Sequence, residues 1–291
     1  MRLADTLRSG SELLKKVGIE EFELDARLLL EHVLNKSRTE LFLAADLILT
    51  EGQLRHYQIL IDRRQQREPV AYILGVQEFW SLEFIVTPDV LIPRPETEFL
   101  LDQVLSHARK INFTVGNIID LCCGSGVIAT ILAKETGQRV LATDVSSQAL
   151  QVSKRNVCLH GVQDLVQLVQ GDLLGSFRQT PQFSLVVSNP PYVSHVDVTN
   201  NLAPEVSDYE PHLALDGGIK GLELIAVIRE QLEYVLLPGG ELFMEIGADQ
   251  GEELSTMFMT KIDGLDGFRT VEILKDYSGR DRVIHAIKSE R

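Results

Sequence analysis

Hydrophobic side chains at the start of the chain recur at the spacing of amphipathic helices. Between residues 24 and 34, six Leu and Val residues fall on one face of a helix. Ser37 and Glu40 have the spacing of a capping box in front of a further apolar run. The region contains no proline before Pro69. The pattern predicts a small helical-bundle domain over residues 1–75.

The pattern changes at residues 78–92, where aromatic and β-branched strand formers are punctuated by prolines. This stretch predicts an extended or β-hairpin connector, taken as residues 76–95. A helix is predicted next, from about Pro95 to Lys110, because acidic residues in its first turn would complement the helix dipole.

From residue 115 onward, short apolar runs alternate with helical patterns. Seven runs predict strands, at 117–121, 139–143, 166–169, 184–188, 241–245, 270–274 and 282–286. Four stretches predict helices, at about 126–136, 147–159, 220–236 and 249–259. Such alternation predicts an α/β domain with a mostly parallel sheet covered by helices on both faces. The last two strands could add an antiparallel edge pair to this domain, which we place at residues 96–291.

Charge is distributed unevenly between the two regions. The 291 residues carry a net charge of −14, with 28 Lys and Arg against 42 Asp and Glu. Residues 1–75 hold 11 basic and 12 acidic residues, a net charge of −1, so the remainder holds 17 and 30, a net charge of −13. A negative chain repels polyanions, which argues against charge-driven binding to nucleic acid or an anionic membrane surface.

The cysteine, histidine and targeting patterns restrict the cellular compartment and the kinds of site that we expect. Three Cys do not make a disulfide framework, and the seven His are scattered without the spacing of a metal site, so we expect no metal. The N-terminus lacks the apolar core of a signal peptide. No apolar run approaches the roughly 20 residues of a transmembrane helix. The expected compartment is the cytoplasm.

A small-residue loop follows the first predicted strand of the α/β domain. Asp120-Leu-Cys-Cys-Gly-Ser-Gly126 ends an apolar run and opens a helix. Small side chains let the backbone approach a ligand closely, and ligands of open α/β sheets bind beyond the carboxyl ends of the strands. A plain tight turn is the alternative. The lysine of a phosphate-binding Walker loop is absent, and Ala129 stands where a dinucleotide fingerprint has its third glycine, which is a weak test because alanine is sometimes tolerated there.

Two acidic residues follow the next two strands. Asp144 lies 18 residues after Gly126, where a carboxylate can accept hydrogen bonds from both hydroxyls of a ribose. The alternative is an N-cap for the helix that begins near Ser146. Asp172 could accept from an adenine amino group while Leu173 packs on the ring, although a lone Asp is as often a turn residue.

Asn189-Pro-Pro-Tyr192 is the most informative motif, and it follows the apolar strand at 184–188. The two prolines make the backbone stiff and extended. The Asn189 side-chain oxygen and the Pro190 carbonyl would then be two fixed acceptors, matched to the two hydrogens of an –NH2 group. Tyr192 could place its ring against a planar amide or base. An ordinary turn is the alternative.

Together, the loop, Asp144 and Asn189-Pro-Pro-Tyr192 resemble the S-adenosylmethionine-dependent methyltransferases that act on a planar –NH2 group. Further segments resemble one family among them, the peptide chain release factor glutamine methyltransferases. These segments are Arg67-Glu-Pro-x-x-Tyr-Ile-Leu-Gly75, Glu78-Phe-Trp80, Phe84-x-Val86, Val90-Leu-Ile-Pro-Arg-Pro-Glu-Thr-Glu98, Tyr209-Glu-Pro-x-x-Ala-Leu-Asp-Gly-Gly218 with Gly221-Leu222, and Asp276-Tyr-Ser-Gly-Arg-Asp-Arg282. The resemblance runs from Asp25 nearly to the C-terminus.

The resemblance implies a Rossmann-like, seven-stranded class I methyltransferase domain behind the helical bundle. It implies methyl transfer from S-adenosylmethionine, leaving S-adenosylhomocysteine, to the N5 amide nitrogen of the glutamine in the Gly-Gly-Gln motif of class I release factors. The bundle would dock this protein partner, with no direct contact to nucleic acid or membrane, and a monomer is expected. An adenine-N6 DNA or RNA methyltransferase is the alternative.

The implied site residues fall into overlapping groups. Catalysis is assigned to Asn189, Pro190 and Tyr192. Substrate binding uses the same three residues together with Pro191. Cofactor binding is assigned to Cys122, Cys123, Gly124, Ser125, Gly126, Asp144, Asp172, Leu173 and Asn189.

One residue departs from the family pattern, because Cys122 stands where the family usually has glycine. A cysteine in the left-handed region would cost about 1–2 kcal/mol. We therefore expect residue 122 to have near-strand geometry and to need only a small side chain.

Overall fold

The computed structural model describes residues 1–111, 117–262, 265 and 267–290. The chain forms two compact units, Met1–Val76 with Ala203–Tyr209, and Gln77–Leu202 with Glu210–Arg291. The first unit thus includes a short segment from late in the chain, which no pattern within residues 1–75 could reveal.

Most of the helices and strands predicted from the sequence lie within a few residues of the expected positions, whereas the short helices at 195–200 and 204–207 were not predicted. The helices are α1 (Leu3–Lys16), α2 (Phe22–Leu34), α3 (Arg38–Leu43), α4 (Glu51–Gln65), α5 (Val70–Leu74), α6 (Pro95–Ile111), α7 (Val127–Thr136), α8 (Ser147–Leu159), α9 (His195–Asn200), α10 (Pro204–Ser207), α11 (Glu223–Val235) and α12 (Gly251–Met259). The strands are β1 (Val76–Phe79), β2 (Leu82–Ile85), β3 (Asn117–Leu121), β4 (Val140–Asp144), β5 (Val166–Gln170), β6 (Phe183–Ser188), β7 (Leu236–Glu245), β8 (Phe268–Lys275) and β9 (Asp281–Lys288).

The first unit is held together by an apolar core and a buried ion-pair group. The apolar faces of α1, α2 and α4 bury leucine and isoleucine side chains against one another. Arg64 on α4 donates to Asp25 at 2.7 Å and to Glu205 of the late segment at 2.9 Å. The predicted capping box at Ser37 and Glu40 is present at the start of α3. Buried Arg64 thus ties residues 203–209 to the helices.

The second unit contains a seven-stranded sheet in the order β5-β4-β3-β6-β7-β9-β8. The first five of these strands are parallel, and β9 pairs antiparallel with β7 and β8. Apolar clusters cover both faces of the sheet. The expected α/β fold with an antiparallel edge pair is confirmed.

A β-hairpin of β1 and β2 leads into the sheet domain. The two residues between the strands, Trp80 and Ser81, both have positive φ, as a tight two-residue hairpin turn requires. The Glu98 side chain on α6 accepts a hydrogen bond from the Trp80 backbone N–H at 2.6 Å. Within the described residues, none of the helices has the length and apolar character needed to cross a bilayer.

Candidate active site

A cavity of about 390 Å³ opens beyond the carboxyl ends of β3, β4, β5 and β6. Most of the residues expected at the cofactor and substrate site line it, namely Cys122, Cys123, Gly124, Ser125, Asp144, Asp172, Leu173, Asn189 and Pro191. Of the described residues, Gly126, Pro190 and Tyr192 are the expected ones that do not line this cavity. The parallel sheet therefore brings four separate loops to one opening.

Gly126 serves the packing of two helices. Its φ is +78°, and a Cβ atom there would lie 3.0 Å from Ser153 Oγ and 3.3 Å from Ser153 Cα on α8. The absent side chain lets the start of α7 approach α8 closely. Ser153 in turn donates to the Gly124 carbonyl at 2.6 Å, which holds the loop above the helices.

The loop geometry corrects the expectation for Cys122. Its φ is +61°, in the left-handed region, and not near strand geometry. A residue with a Cβ atom costs about 1–2 kcal/mol in this region, so the loop holds backbone strain at Cys122. Burial raises the pKa of the Cys122 and Cys123 thiols well above the ordinary value, which favours the protonated form of both.

Asp144 lies at the end of β4 with both carboxylate oxygens engaged by the backbone. Its Oδ2 accepts from the Gly124 N–H and its Oδ1 from the Ser146 N–H, both at 2.9 Å. The N-cap of α8 is Ser146, whose hydroxyl accepts from Ala149, so Asp144 is not the cap. A carboxylate offers about four lone-pair sites, so Asp144 can accept further hydrogen bonds from the cavity side.

Leu173 adopts a backbone conformation that leucine rarely takes. Its φ is +50°, and its side chain is buried. Leu173 lines the cavity next to Asp172, which is exposed. A bulky residue with positive φ is strained and needs support from its surroundings. Two hydrogen bonds of the neighbouring residues fix the backbone on either side of Leu173. The Asp172 N–H donates to Ser176 Oγ and the Leu174 N–H donates to Gln231 Oε1, each at 2.8 Å.

Asn189 is oriented by a chain of buried side chains. Its Nδ2 donates to Thr97 Oγ1 at 3.1 Å, and the Thr97 hydroxyl donates to Glu245 Oε2 at 2.7 Å. Tyr192 donates to the other oxygen of Glu245 at 3.0 Å. Because the single hydroxyl proton of Thr97 is used for Glu245, Thr97 can only accept from Asn189. The Asn189 amide therefore directs Nδ2 to Thr97 and keeps Oδ1 for another donor.

Asp120 is a fully buried carboxyl group beneath the loop. Its Oδ2 accepts from the Ala129 N–H at 2.9 Å. Desolvation raises the pKa of Asp120 to about 8, and the nearby Asp144 charge adds to this effect. At neutral pH Asp120 is thus largely protonated in the folded protein.

Two family models match the chain, one described as the PrmC N-terminal domain over residues 5–75, and one described as the methyltransferase small domain over residues 95–247. A release factor glutamine methyltransferase of Clostridium botulinum is 38% identical over 290 residues, covering 99% of this chain and 100% of the relative. Another, from Clostridium acetobutylicum, is 36% identical and covers 99% of each chain. The chain belongs to the release factor glutamine methyltransferase family.

A solved structure supports the fold of this family member. The structure of a methyltransferase from Pyrococcus furiosus matches with a TM-score of 0.51 and 18% identity, covering 81% of this chain and 98% of that one. At this identity the likeness concerns the fold alone.

Thr97 and Glu245 were not among the site residues expected from the sequence. Thr97 lies within the segment Ile-Pro-Arg-Pro-Glu-Thr-Glu98, which carried much of the family resemblance, so a signal was present. Glu245 ends β7 at the carboxyl edge where open α/β sheets bind ligands. Its burial next to Thr97 depends on a contact between residues 148 positions apart, which the pattern of one strand cannot show.

Proposed function

We propose that this chain transfers a methyl group from S-adenosylmethionine to the side-chain amide nitrogen of the glutamine in the Gly-Gly-Gln motif of class I release factors. The observation that carries the proposal is the orientation of Asn189 at the cavity, with Nδ2 held by Thr97 and Oδ1 kept as an acceptor. The names of the near-full-length relatives point to the same substrate class.

The residues of the cavity suit S-adenosylmethionine. Asp144 has acceptor sites left for the ribose hydroxyls, and Asp172 beside Leu173 would accept from the adenine amino group while the leucine packs on the ring. The loop from Cys122 to Ser125 would contact the rest of the molecule. Four aspartates line the cavity, and no lysine or arginine is among the described residues that line it, which also suits a ligand with a positive sulfonium.

Asn189 and Pro190 would promote the reaction by positioning the substrate amide nitrogen. An amide nitrogen is a poor nucleophile because its lone pair is delocalised into the carbonyl. Acceptance of both N–H bonds by Asn189 Oδ1 and the Pro190 carbonyl would aim that lone pair in line with the S–CH3 bond and stabilise the charge that develops on nitrogen. The N–CH3 bond forms as the S–CH3 bond breaks, and the nitrogen then loses one proton to water. No strong base is needed before the attack.

The first unit would dock the release factor. Phe42, Leu43 and Ile48 are 80%, 78% and 74% exposed within one short stretch of this unit. Exposed apolar side chains in proximity are typical of protein-binding surfaces. The net charge of −1 over residues 1–75 imposes no strong repulsion on an incoming protein.

The test is mass spectrometry of a recombinant release factor after incubation with the full chain and isotope-labelled S-adenosylmethionine. We expect one labelled methyl group on the Gly-Gly-Gln glutamine. Asn189→Ala should abolish the transfer while titration calorimetry still detects cofactor binding, and Asn200→Ala, at an exposed residue of α9, should behave as the wild type. Turnover by Asn189→Ala at the wild-type rate would overturn the assignment.

Adenine-N6 methylation is tested in the same assay with an adenine-containing oligonucleotide as the acceptor. The net charge of −13 beyond residue 75 disfavours it, since a nucleic acid would meet a like-charged protein. Label in the oligonucleotide and none in the release factor would replace our proposal with this alternative.

A further inference from the structure

We propose that His107, Glu241 and His285 form a binding site for a divalent transition-metal ion such as Zn²⁺. The three side chains come from α6, β7 and β9, and none of them lines the cavity of the active site. Within the described residues, this is the one group of three His, Cys, Asp or Glu side chains whose potential ligand atoms all lie within 4.8 Å of one another. The site uses none of the residues proposed to bind the cofactor or the substrate amide.

The ligand atoms already converge as zinc ligands do. His107 Nε2 lies 2.8 Å from Glu241 Oε2 and 3.0 Å from Oε1, and His285 Nε2 lies 2.7 Å from Oε2. Around a tetrahedral Zn²⁺ with bonds of about 2.0–2.2 Å, neighbouring ligand atoms are about 3.3–3.5 Å apart. A shift of several tenths of an ångström would therefore open the hydrogen-bonded group into a three-ligand site.

Two imidazole nitrogens and one carboxylate are a donor set that zinc and related divalent metals favour. Each histidine would bind the ion through Nε2, with its ring proton on Nδ1, and Glu241 would bind as the carboxylate. Each Nε2 now donates to the Glu241 carboxylate, so on metal binding a neutral ring would move its proton from Nε2 to Nδ1, and a protonated ring would release its Nε2 proton to solvent. A water molecule would complete the coordination at the partly open side, where the His107 side chain is 25% exposed.

Aromatic packing holds the rings in place before any ion binds. His285 stacks on Phe243 with ring centroids 4.1 Å apart and an interplanar angle of 14°. His107 lies against the same phenylalanine at 5.6 Å. Glu241 and His285 are almost fully buried, at 7% and 8% exposure of their side chains. Because these side chains are already immobilised, metal binding would lose little of their conformational entropy.

A bound ion would replace the hydrogen bond between His107 and Glu241 with metal coordination and so strengthen a second polar link between α6 and the sheet. The first is the hydrogen bond from Thr97, at the start of α6, to Glu245, at the end of β7. His107 lies further along the same helix and Glu241 four residues earlier on the same strand. The ion would thus stiffen the pair of elements that positions Asn189. The sequence spacing did not predict it, because His107 and Glu241 are 134 residues apart.

The experiment uses the full chain, dialysed against a chelator, in a Cys158→Ser background so that the exposed thiol binds no metal. Titration calorimetry with Zn²⁺ alone should show one site per chain, and the ion should raise the melting temperature. Bound Co²⁺ should give the visible absorption of nitrogen and oxygen coordination. His107→Asn changes the most accessible ligand and should still fold, but it should weaken zinc at least about 100-fold, since changes one shell further out already cost 10- to 100-fold.

His160→Asn is the matched control. His160 is another partly buried histidine of the second unit, and its ring nitrogen lies 3.0 Å from the Glu83 carbonyl. This variant should bind zinc as the parent does. Absence of stoichiometric zinc binding in the parent would overturn the proposal, and so would equal affinity in His107→Asn.

Discussion

The Asn189 side-chain amide donates to the Thr97 hydroxyl across 3.1 Å, joining the loop after β6 to the first turn of α6. The contact decides which end of the amide is available to a ligand. Without Thr97 as an acceptor, Asn189 could rotate and present its NH2 group, which cannot accept a hydrogen bond from a substrate amide.

Thr97→Val should therefore lower kcat while leaving cofactor binding intact. Valine keeps the shape but removes the acceptor for Asn189 and the donor for buried Glu245. We expect a loss of about 2 kcal/mol in the transition state, or roughly 30-fold in kcat. Steady-state kinetics together with calorimetry of S-adenosylhomocysteine binding measure the two effects.

Thr97→Ser is the control, since it keeps the hydroxyl and should retain most of the activity. If Thr97 had only a structural role, both variants would be less stable, and kcat would not fall while cofactor affinity stayed unchanged. Wild-type kcat in Thr97→Val would show that Asn189 does not depend on this contact.

The sheet and the cavity loops followed from the sequence because they rest on local pattern. Alternating apolar runs identified all seven strands of the sheet, and motifs directly after β3, β4, β5 and β6 identified nine of the residues that line the cavity. The start of β7 was missed, since Pro238-Gly-Gly240 is typical of a turn and yet lies inside the strand. The link from Thr97 to Glu245 was missed because it is made only by tertiary packing.

Cys122 shows a second reason for error, which is that a residue can occupy a conformation it disfavours. Near-strand geometry was expected because cysteine rarely has positive φ, but the surrounding loop imposes +61°. We predict that Cys122→Gly is more stable than Cys122→Ala by about 1 kcal/mol, because glycine alone relieves the strain. Chemical unfolding monitored by Trp80 fluorescence measures the difference.

The same two substitutions at Cys123 serve as the control for those at Cys122. It is the adjacent residue, is buried and does not have positive φ. There the order should reverse, with Cys123→Ala more stable than Cys123→Gly, because glycine has the larger entropy in the unfolded chain. The same order at both positions would contradict strain at Cys122.

Asp120 should make the protein less stable as pH rises. Its pKa is about 8 in the folded state, mainly through desolvation, against about 3.9 in the unfolded state. Between these values the folded state holds a proton that the unfolded state has lost. The stabilisation is therefore complete below pH 4 and disappears as pH rises through 8.

Asp120→Asn removes this titration and can still accept the Ala129 N–H. The free energy of unfolding of the variant minus that of the wild type should grow with pH, by up to about 1.4 kcal/mol per unit between pH 5 and 8. Urea unfolding at several pH values measures it. Asp172→Asn, at an exposed carboxylate that lines the active-site cavity, is the control for the loss of one carboxylate, and a profile of Asp120→Asn parallel to that of the wild type would disprove the assignment.

Asp144→Ala should weaken S-adenosylmethionine about 10- to 100-fold, since it removes the acceptor proposed for two ribose hydroxyls. The backbone N–H groups of Gly124 and Ser146 would also lose their partner. Asp144→Asn separates these effects because it keeps one acceptor oxygen and should bind with intermediate affinity. Calorimetry measures each dissociation constant, and equal values for Asp144→Ala and the wild type would exclude ribose binding by this residue.

Docking of the release factor can be tested without removing the first unit. Deletion of residues 1–75 should impair activity on a whole release factor more than on a free glutamine analogue. However, it would also leave Glu205 of the same unit without Arg64 and Arg67, each 2.9 Å away. Substitutions at exposed side chains avoid this loss of structure.

Phe42→Ser combined with Leu43→Ser should raise KM for a whole release factor about tenfold, because removal of apolar anchors from an interface costs more than 1 kcal/mol. Turnover of a short Gly-Gly-Gln peptide should be unchanged, since the cavity is untouched. Met259→Ser, at a 62% exposed residue of α12 in the second unit, is the control and should affect neither substrate. An equal loss on both substrates would show that the two residues maintain the fold, and no loss on either would exclude this surface from docking.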